Sequence, residues 1–203
     1  MKQFLTGADG VKLSYDFWQG TQTLPGVLLV HQLPANKSSW QPLIPDLIAK
    51  RYTVLAIDYR GRGNSEGVLQ TAQDFQNIGL DVKAGLDFLR SKGITTIIII
   101  GASIGANHAL IAAVEREEVR GVVLLSPGLD YRGVKTEPAA TTLQKPVLIV
   151  ASEDDAYSAM SSKKLYDLLP GKKELKLFST AGHGTYMFSE ESLKPLILNF
   201  LKK

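Results

Sequence analysis

The chain has 203 residues, a net charge of +3, 44% hydrophobic and 21% charged residues, and no cysteine. That is the balance of a single globular domain, read over 1–203, and no linker-like tract, like-charge block or internal repeat divides it. The composition excludes disulfides, thiolate catalysis and Cys-ligated metals, and the scattered pairs Lys163-Lys164, Lys172-Lys173 and Lys202-Lys203 do not form the clustered basic face that nucleic acid requires.

The N-terminus, Met1 to Gly10, has no apolar core and reads as no signal peptide. No stretch approaches the ~20 apolar residues of a membrane span. The expected location is the cytoplasm, although the same sequence would fit a chain from which an export leader had been removed. Asp9-Gly10 is a hairpin signal between two short strands, the second with Val11, Leu13, Tyr15 and Phe17 alternating with polar residues. Gly26 to His31 is a continuous apolar run, the pattern of a strand buried on both faces. Ser38-Ser39 offers a helix N-cap ahead of Trp40, Leu43, Ile44, Leu47 and Ile48, with Pro42 and Pro45 making the start irregular.

Thr53 to Ile57 is a second buried strand, followed by the polar loop Asp58 to Gly67. Gly61, Gly63 and Gly67 in that loop miss the dinucleotide-binding spacing by one residue. Phe75, Ile78, Val82, Leu86 and Leu89 recur at helical spacing. Ile97 to Ile100, Gly121 to Ser126 and Pro146 to Val150 are further buried strands. Ser158 to Leu169 reads as a helix stopped by Pro170-Gly171, Leu175 to Phe178 as the last strand, and Leu193 to Leu201 as an amphipathic terminal helix with Ser192 as its cap. Apolar strands alternating with helices predict a three-layer α/β/α sandwich with a mostly parallel sheet and an antiparallel N-terminal edge hairpin. Ligands of such sheets bind at the carboxyl ends of the strands.

One junction carries chemistry. The Ile97–Ile100 strand runs into Gly101-Ala102-Ser103-Ile104-Gly105 and then into a run of helix formers. Strand, Gly-x-Ser-x-Gly and helix is the context of a nucleophile elbow, where a sharp turn exposes the serine and the new helix aims its first amides at an oxyanion. A serine hydroxyl needs a base. Of the three histidines, His108 lies on the elbow helix, turned away from the serine end, and reads as a packed or surface side chain. His31 closes an early strand and is expected to hold its loop. His183, in the glycine-flanked loop Gly182-His183-Gly184, is the candidate base. The carboxylate orienting it is expected to be Asp154, after the Pro146–Val150 strand, with Asp155 and Asp130 as the other carboxylates at strand ends.

With Ser103, Asp154 and His183 in that order, and with the Asp58 to Ser65 loop, the chain resembles the α/β-hydrolase fold family over essentially its whole length. The resemblance implies Ser103 as nucleophile, His183 as base and then acid, Asp154 as orienting acid, and oxyanion donors at the Ile104 and Leu33 amides. It departs from the family at His31-Gln32, where His-Gly is usual, so the Gln32 amide or side chain is a third candidate donor. The implied activity is hydrolysis of carboxylic esters through an acyl-enzyme, with a small-molecule ester and water as partners and no cofactor or metal. The same machinery serves thioesterases and acyltransferases, and a non-catalytic binding member of the fold is the reading from another class. Ser126 to Lys145 is too short for a cap domain, which predicts short acyl substrates, roughly acetyl to hexanoyl. Leu33, Trp40, Ile104, Tyr131, Tyr157 and Met187 are candidate substrate-lining residues.

Overall fold

The computed structural model describes residues 3–202. Met1 and Lys2 of the N-terminal stretch and Lys203 of the last lysine pair lie outside them. The elements in chain order are β1 (Gln3–Thr6), β2 (Lys12–Trp18), β3 (Gly26–Val30), a 3-10 turn (Lys37–Trp40), α1 (Ile44–Ala49), β4 (Thr53–Ile57), α2 (Ala72–Ser91), β5 (Ile97–Ala102) and α3 (Ile104–Glu115). There follow β6 (Val119–Leu125), β7 (Asp130–Tyr131), β8 (Val134–Lys135), α4 (Glu137–Thr142), β9 (Val147–Ser152), α5 (Ala156–Leu168), β10 (Lys173–Phe178), a second 3-10 turn (Gly184–Ser189) and α6 (Leu193–Phe200).

Eight strands form one sheet in the order β1-β2-β4-β3-β5-β6-β9-β10. The β1–β2 hairpin and the β2–β4 pair are antiparallel, and every other pair is parallel. The buried strands serve two cores by alternation. Leu28, Val30, Ile97 and Ile99 point toward α2, α3, α4 and α5, while Val27, Leu29, Ile98 and Ile100 point toward α1 and α6. Each such side chain leaves water almost completely, for roughly 1.5–3 kcal/mol of transfer free energy. This is the α/β/α sandwich with an antiparallel edge, and no cap is inserted between β6 and β9.

Local chemistry moves some boundaries. The chain after β3 is capped by Asn36, whose side chain accepts from the Ser38 amide, and makes only a 3-10 turn before breaking. Pro42 and Pro45 delay the regular helix to Ile44, so Ser38-Ser39 is not the cap of one long helix. Helix α2 opens with a reciprocal capping box between Thr71 and Asp74. The stretch between β6 and β9 holds the two-residue strands β7 and β8, paired as a hairpin, and the short α4.

Two buried ion pairs fix the loops at the carboxyl edge. Arg60 makes a two-pronged contact with the fully buried Asp81 of α2 and reaches Asp9 at 2.8 Å. Lys37 Nζ sits 2.8 Å from Asp58 Oδ2, and the Lys37 amide donates to Asp58 Oδ1 at 2.7 Å. Gly63 is required beside this pair: at φ 54° a Cβ there would fall 2.1 Å from the Asp58 carboxylate. The loop joining β3 to α1 is therefore pinned at its far end to the loop after β4.

Candidate active site

Ser103 is the residue between β5 and α3, at φ 55° and ψ −123°. That backbone is costly for a residue with a side chain and marks a position held by its surroundings. The neighbouring glycines supply the space. A Cβ on Gly101 would lie 2.4 Å from the Gly105 carbonyl, and a Cβ on Gly105 would lie 2.4 Å from the Val30 carbonyl. The Ser103 amide donates to Leu125 O at 2.8 Å, tying the elbow to β6. Ile104 is the first residue of α3, where an amide has no acceptor within the helix and the helix dipole favours negative charge.

His183 ends the stretch after β10, and its Nδ1 lies 2.6 Å from Asp155 Oδ2. Both side chains are partly exposed, 31% and 19%, as groups at the mouth of a site would be. This corrects the sequence expectation for the acid. Asp154 does not meet the imidazole. Its carboxylate accepts from the Ser152 hydroxyl and from the Gly182 amide at 3.2 Å and the Ala181 amide at 3.4 Å. The Ser152 hydroxyl and these amides hold the Asp154 carboxyl below its usual range. Asp154 thus braces the backbone of the histidine loop, and the side chain one residue on faces the ring. Asp155 also caps α5, accepting from Ser158 N at 3.5 Å. Asp130 lies elsewhere, closing the β7–β8 turn through the Gly133 amide at 2.7 Å.

Gln32 also differs from expectation. Its side chain is 1% exposed and turns into the histidine loop. Gln32 Oε1 accepts from Thr185 N at 2.6 Å and from Thr185 Oγ1 at 2.9 Å, and Nε2 donates to His183 O at 3.4 Å. The carboxamide is committed to protein partners and does not stand free as an oxyanion donor. Gly184, at φ 60°, makes the approach possible, since a Cβ there would meet Gln32 Oε1 at 2.2 Å.

The remaining histidines are structural. His31 donates from Nδ1 to Gln32 O at 2.9 Å and stacks on Tyr59 with ring centres 4.0 Å apart. His108 donates from Nε2 to Phe75 O at 2.9 Å, joining α3 to α2. Burial lowers both imidazoles to about 4, so both are neutral near pH 7.

The candidate lining residues divide. Trp40 and Met187 are wholly buried in the α1/α6-side core, where Trp40 meets Phe188 edge to face at 6.0 Å, so neither is open to a ligand. Trp40 shares the apolar spacing of Leu43, Ile44 and Leu47 and packs with them in that core. Leu33 is partly buried, packed against the other core, and Ile104 is 1% exposed. Tyr157 is 39% exposed, and its hydroxyl donates to Asp130 O and accepts from Asp130 N, each at 2.9 Å. Tyr131 stands beside His183. Its hydroxyl lies 2.8 Å from Ser158 Oγ and donates to Ser126 O at 3.3 Å, and its ring is edge-on to His183 at 6.2 Å. Ser158 in turn lies 3.5 Å from His183 Nδ1, a contact not foreseen from the sequence. Among the described residues no group of His, Asp and Glu side chains could hold a metal ion, and no helix is long and apolar enough to cross a membrane.

A family model described as alpha/beta hydrolase fold matches residues 25–134. An uncharacterized protein, YfhR of Salmonella typhimurium, is 25% identical over 195 residues, covering 80% of this chain and 65% of the relative. Epoxide hydrolase B of Mycobacterium tuberculosis is 35% identical over 112 residues, covering 54% of this chain and 31% of the relative. The chain spans about 65% of the length of the first of these relatives. Among solved structures, an esterase from Pyrococcus furiosus matches with a TM-score of 0.85 at 22% identity, covering 100% of this chain and 91% of its own. An esterase from Exiguobacterium antarcticum matches at 0.84 and 14% identity, with both chains covered fully. At these identities the structural likeness establishes the fold.

Proposed function

The chain belongs to the α/β-hydrolase fold family, and from that premise we propose that it is a serine hydrolase cleaving carboxylic esters through an acyl-enzyme. The observation that carries this reading is the His183–Asp155 hydrogen bond at the same sheet edge as Ser103 on its elbow. A carboxylate on Nδ1 fixes the tautomer that leaves Nε2 free to take a proton.

In this reading Ser103 Oγ attacks the ester carbonyl as His183 takes its proton. Asp155 stabilises the imidazolium that forms. The oxyanion is received by the Ile104 amide at the start of α3 and by the Leu33 amide of the loop after β3. His183 then protonates the departing alkoxide, leaving the acyl group on Ser103. Water enters, His183 removes its proton, and a second tetrahedral intermediate collapses to acid and free serine. No cofactor takes part. The epoxide hydrolase among the relatives supports hydrolysis in general, and the esterase neighbours share the fold on which this chemistry would run.

A panel of p-nitrophenyl esters and acyl-thioesters of rising chain length, with Ser103→Ala as control, tests the proposal. Turnover of the oxygen esters that vanishes in Ser103→Ala supports it. Selective turnover of thioesters would move the assignment to a thioesterase, and no turnover of either, with no covalent labelling of Ser103, would leave a binding member of the fold.

A further inference from the structure

The two faces of β2 differ in what they meet. Tyr15 and Phe17 turn to one face and pack on Phe88 of α2, with ring centres 4.7 and 5.4 Å apart. Ser14, Asp16 and Trp18 alternate with them and share the other face. There they line a cleft of about 800 Å³, together with Asn36 and Lys37 of the first 3-10 turn and Asp58 after β4. That volume is in the range of small-molecule sites. The strand order β2-β4-β3-β5 puts the cleft three strand spacings, about 14 Å, from the Ser103 end of β5.

The polar groups of the cleft offer more hydrogen bonds than the protein uses. Lys37, Ser14 and Asp58 are all buried. Lys37 Nζ donates to Asp58 Oδ2 at 2.8 Å and to Ser14 Oγ at 3.0 Å, and an ammonium has a third N–H to give. The Ser14 hydroxyl accepts from Lys37, and its own hydrogen has no acceptor among the described residues. Asp58 is engaged by three donors, the Lys37 amide at 2.7 Å, the Lys37 ammonium and the Asn64 amide at 3.1 Å. Asp16 is exposed, and among the described residues its carboxylate has no hydrogen-bond or ion-pair partner. Trp18 is partly buried, packed against the α1/α6-side core at its base.

We propose that this cleft is a binding site for a neutral saccharide. The ligand must accept from Lys37 and Ser14 and also donate to Asp16. One cation against two carboxylates disfavours a carboxylate or phosphate, and the spare ammonium N–H disfavours an amine. An apolar molecule would bury the spare donors without partners. Neighbouring hydroxyls on a neutral ring meet every condition, since each both donates and accepts. Ser14 and Asp16, two residues apart on one strand face, stand about 7 Å apart, a distance that a sugar ring with its hydroxyls spans. Trp18, next on that face, supplies the flat apolar surface on which the C–H face of a pyranose lies. The site is separate from the serine elbow and does not rest on Ser103 being a nucleophile.

The test titrates ¹⁵N-labelled protein with glucose, xylose, maltose and cellobiose, and separately with inorganic phosphate and acetate, following backbone and indole N–H signals. At least one sugar should give saturable shifts centred on Asp16, Trp18, Asn36 and Lys37, and Ser103→Ala should bind it as wild type does. Asp16→Ala removes an exposed side chain and leaves the Lys37–Asp58 pair intact, and it should weaken binding at least about fivefold. Trp18→Leu, with its fold checked from the dispersion of the same spectra, should weaken it as much. Shifts with none of the four sugars would overturn the proposal. So would unchanged affinity in Asp16→Ala or in folded Trp18→Leu, shifts centred elsewhere, or saturation by phosphate or acetate in preference to every sugar.

Discussion

His183 Nδ1 and Asp155 Oδ2 are 2.6 Å apart, whereas Asp154, next to Asp155 in the chain, turns its carboxylate to the Ala181 and Gly182 amides beneath the same histidine. Two adjacent carboxylates hold one loop by different parts. The first grips its backbone and the second meets its side chain.

These two positions should respond differently to the same isosteric change. Asp155→Asn should lower kcat by about three to four orders of magnitude, because an amide no longer selects the productive tautomer or stabilises imidazolium. Asp154→Asn should lower kcat less than about tenfold while reducing the melting temperature, since it weakens hydrogen bonds that order the loop. Steady-state kinetics with thermal melts of both proteins separate the cases. Equal losses of kcat would contradict the division of labour.

Gln32→Leu removes the clamp between the loop after β3 and the histidine loop at nearly constant volume. It leaves the Thr185 amide without its acceptor, a cost of about 1–3 kcal/mol for a buried donor. The expected result is a kcat reduced about tenfold or more with KM changed little, because the clamp positions catalytic groups and does not contact substrate. A change confined to KM would argue against it.

The buried histidines make stability depend on pH. Folded His31 and His108 are lowered to about 4 from an ordinary 6.5, so between those values the unfolded chain binds more protons than the folded one. Stability is therefore full above about 6.5 and falls as the pH drops toward 4. Urea denaturation near pH 7.5 and near pH 4.5 should show a loss of a few kcal/mol, and His108→Gln should lose less, having one such group fewer. Equal losses in wild type and His108→Gln would contradict the assignment of His108.

Gly105→Ala should fail to accumulate as folded protein. The added methyl would lie 2.4 Å from the Val30 carbonyl and 2.6 Å from the His31 carbonyl, both of them backbone atoms that cannot rotate away. Soluble yield and a thermal melt give the answer, and a stable, active Gly105→Ala enzyme would contradict the packing described for the elbow.

The parts of the fold legible in the sequence are those with the strongest local physics. Ile97 to Ile100 could only be a buried strand, and the glycines on either side of Ser103 announced a close backbone crossing. Which of Asp154 and Asp155 faces His183 was not legible, because it depends on the turn taken after Ser152, beyond the end of strand periodicity. The one local hint was that Asp155 stands three residues before Ser158, as a helix cap does. Trp40 and Met187 face the α1/α6-side core and not a pocket, and for Trp40 the apolar spacing shared with Leu43, Ile44 and Leu47 was a sign of that. The β7–β8 hairpin was illegible: two-residue strands held by Asn107 depend on long-range bonds to a helix more than twenty positions earlier.

The central claim is that Ser103 is an activated nucleophile. Intact-protein mass spectrometry after incubation with a fluorophosphonate probe, followed by peptide mapping, tests it most directly. The account predicts one covalent adduct per chain, mapped to Ser103, formed quickly in wild type, far more slowly in Asp155→Asn and not at all in Ser103→Ala. An unmodified wild-type chain, or an adduct that persists in Ser103→Ala, would contradict it.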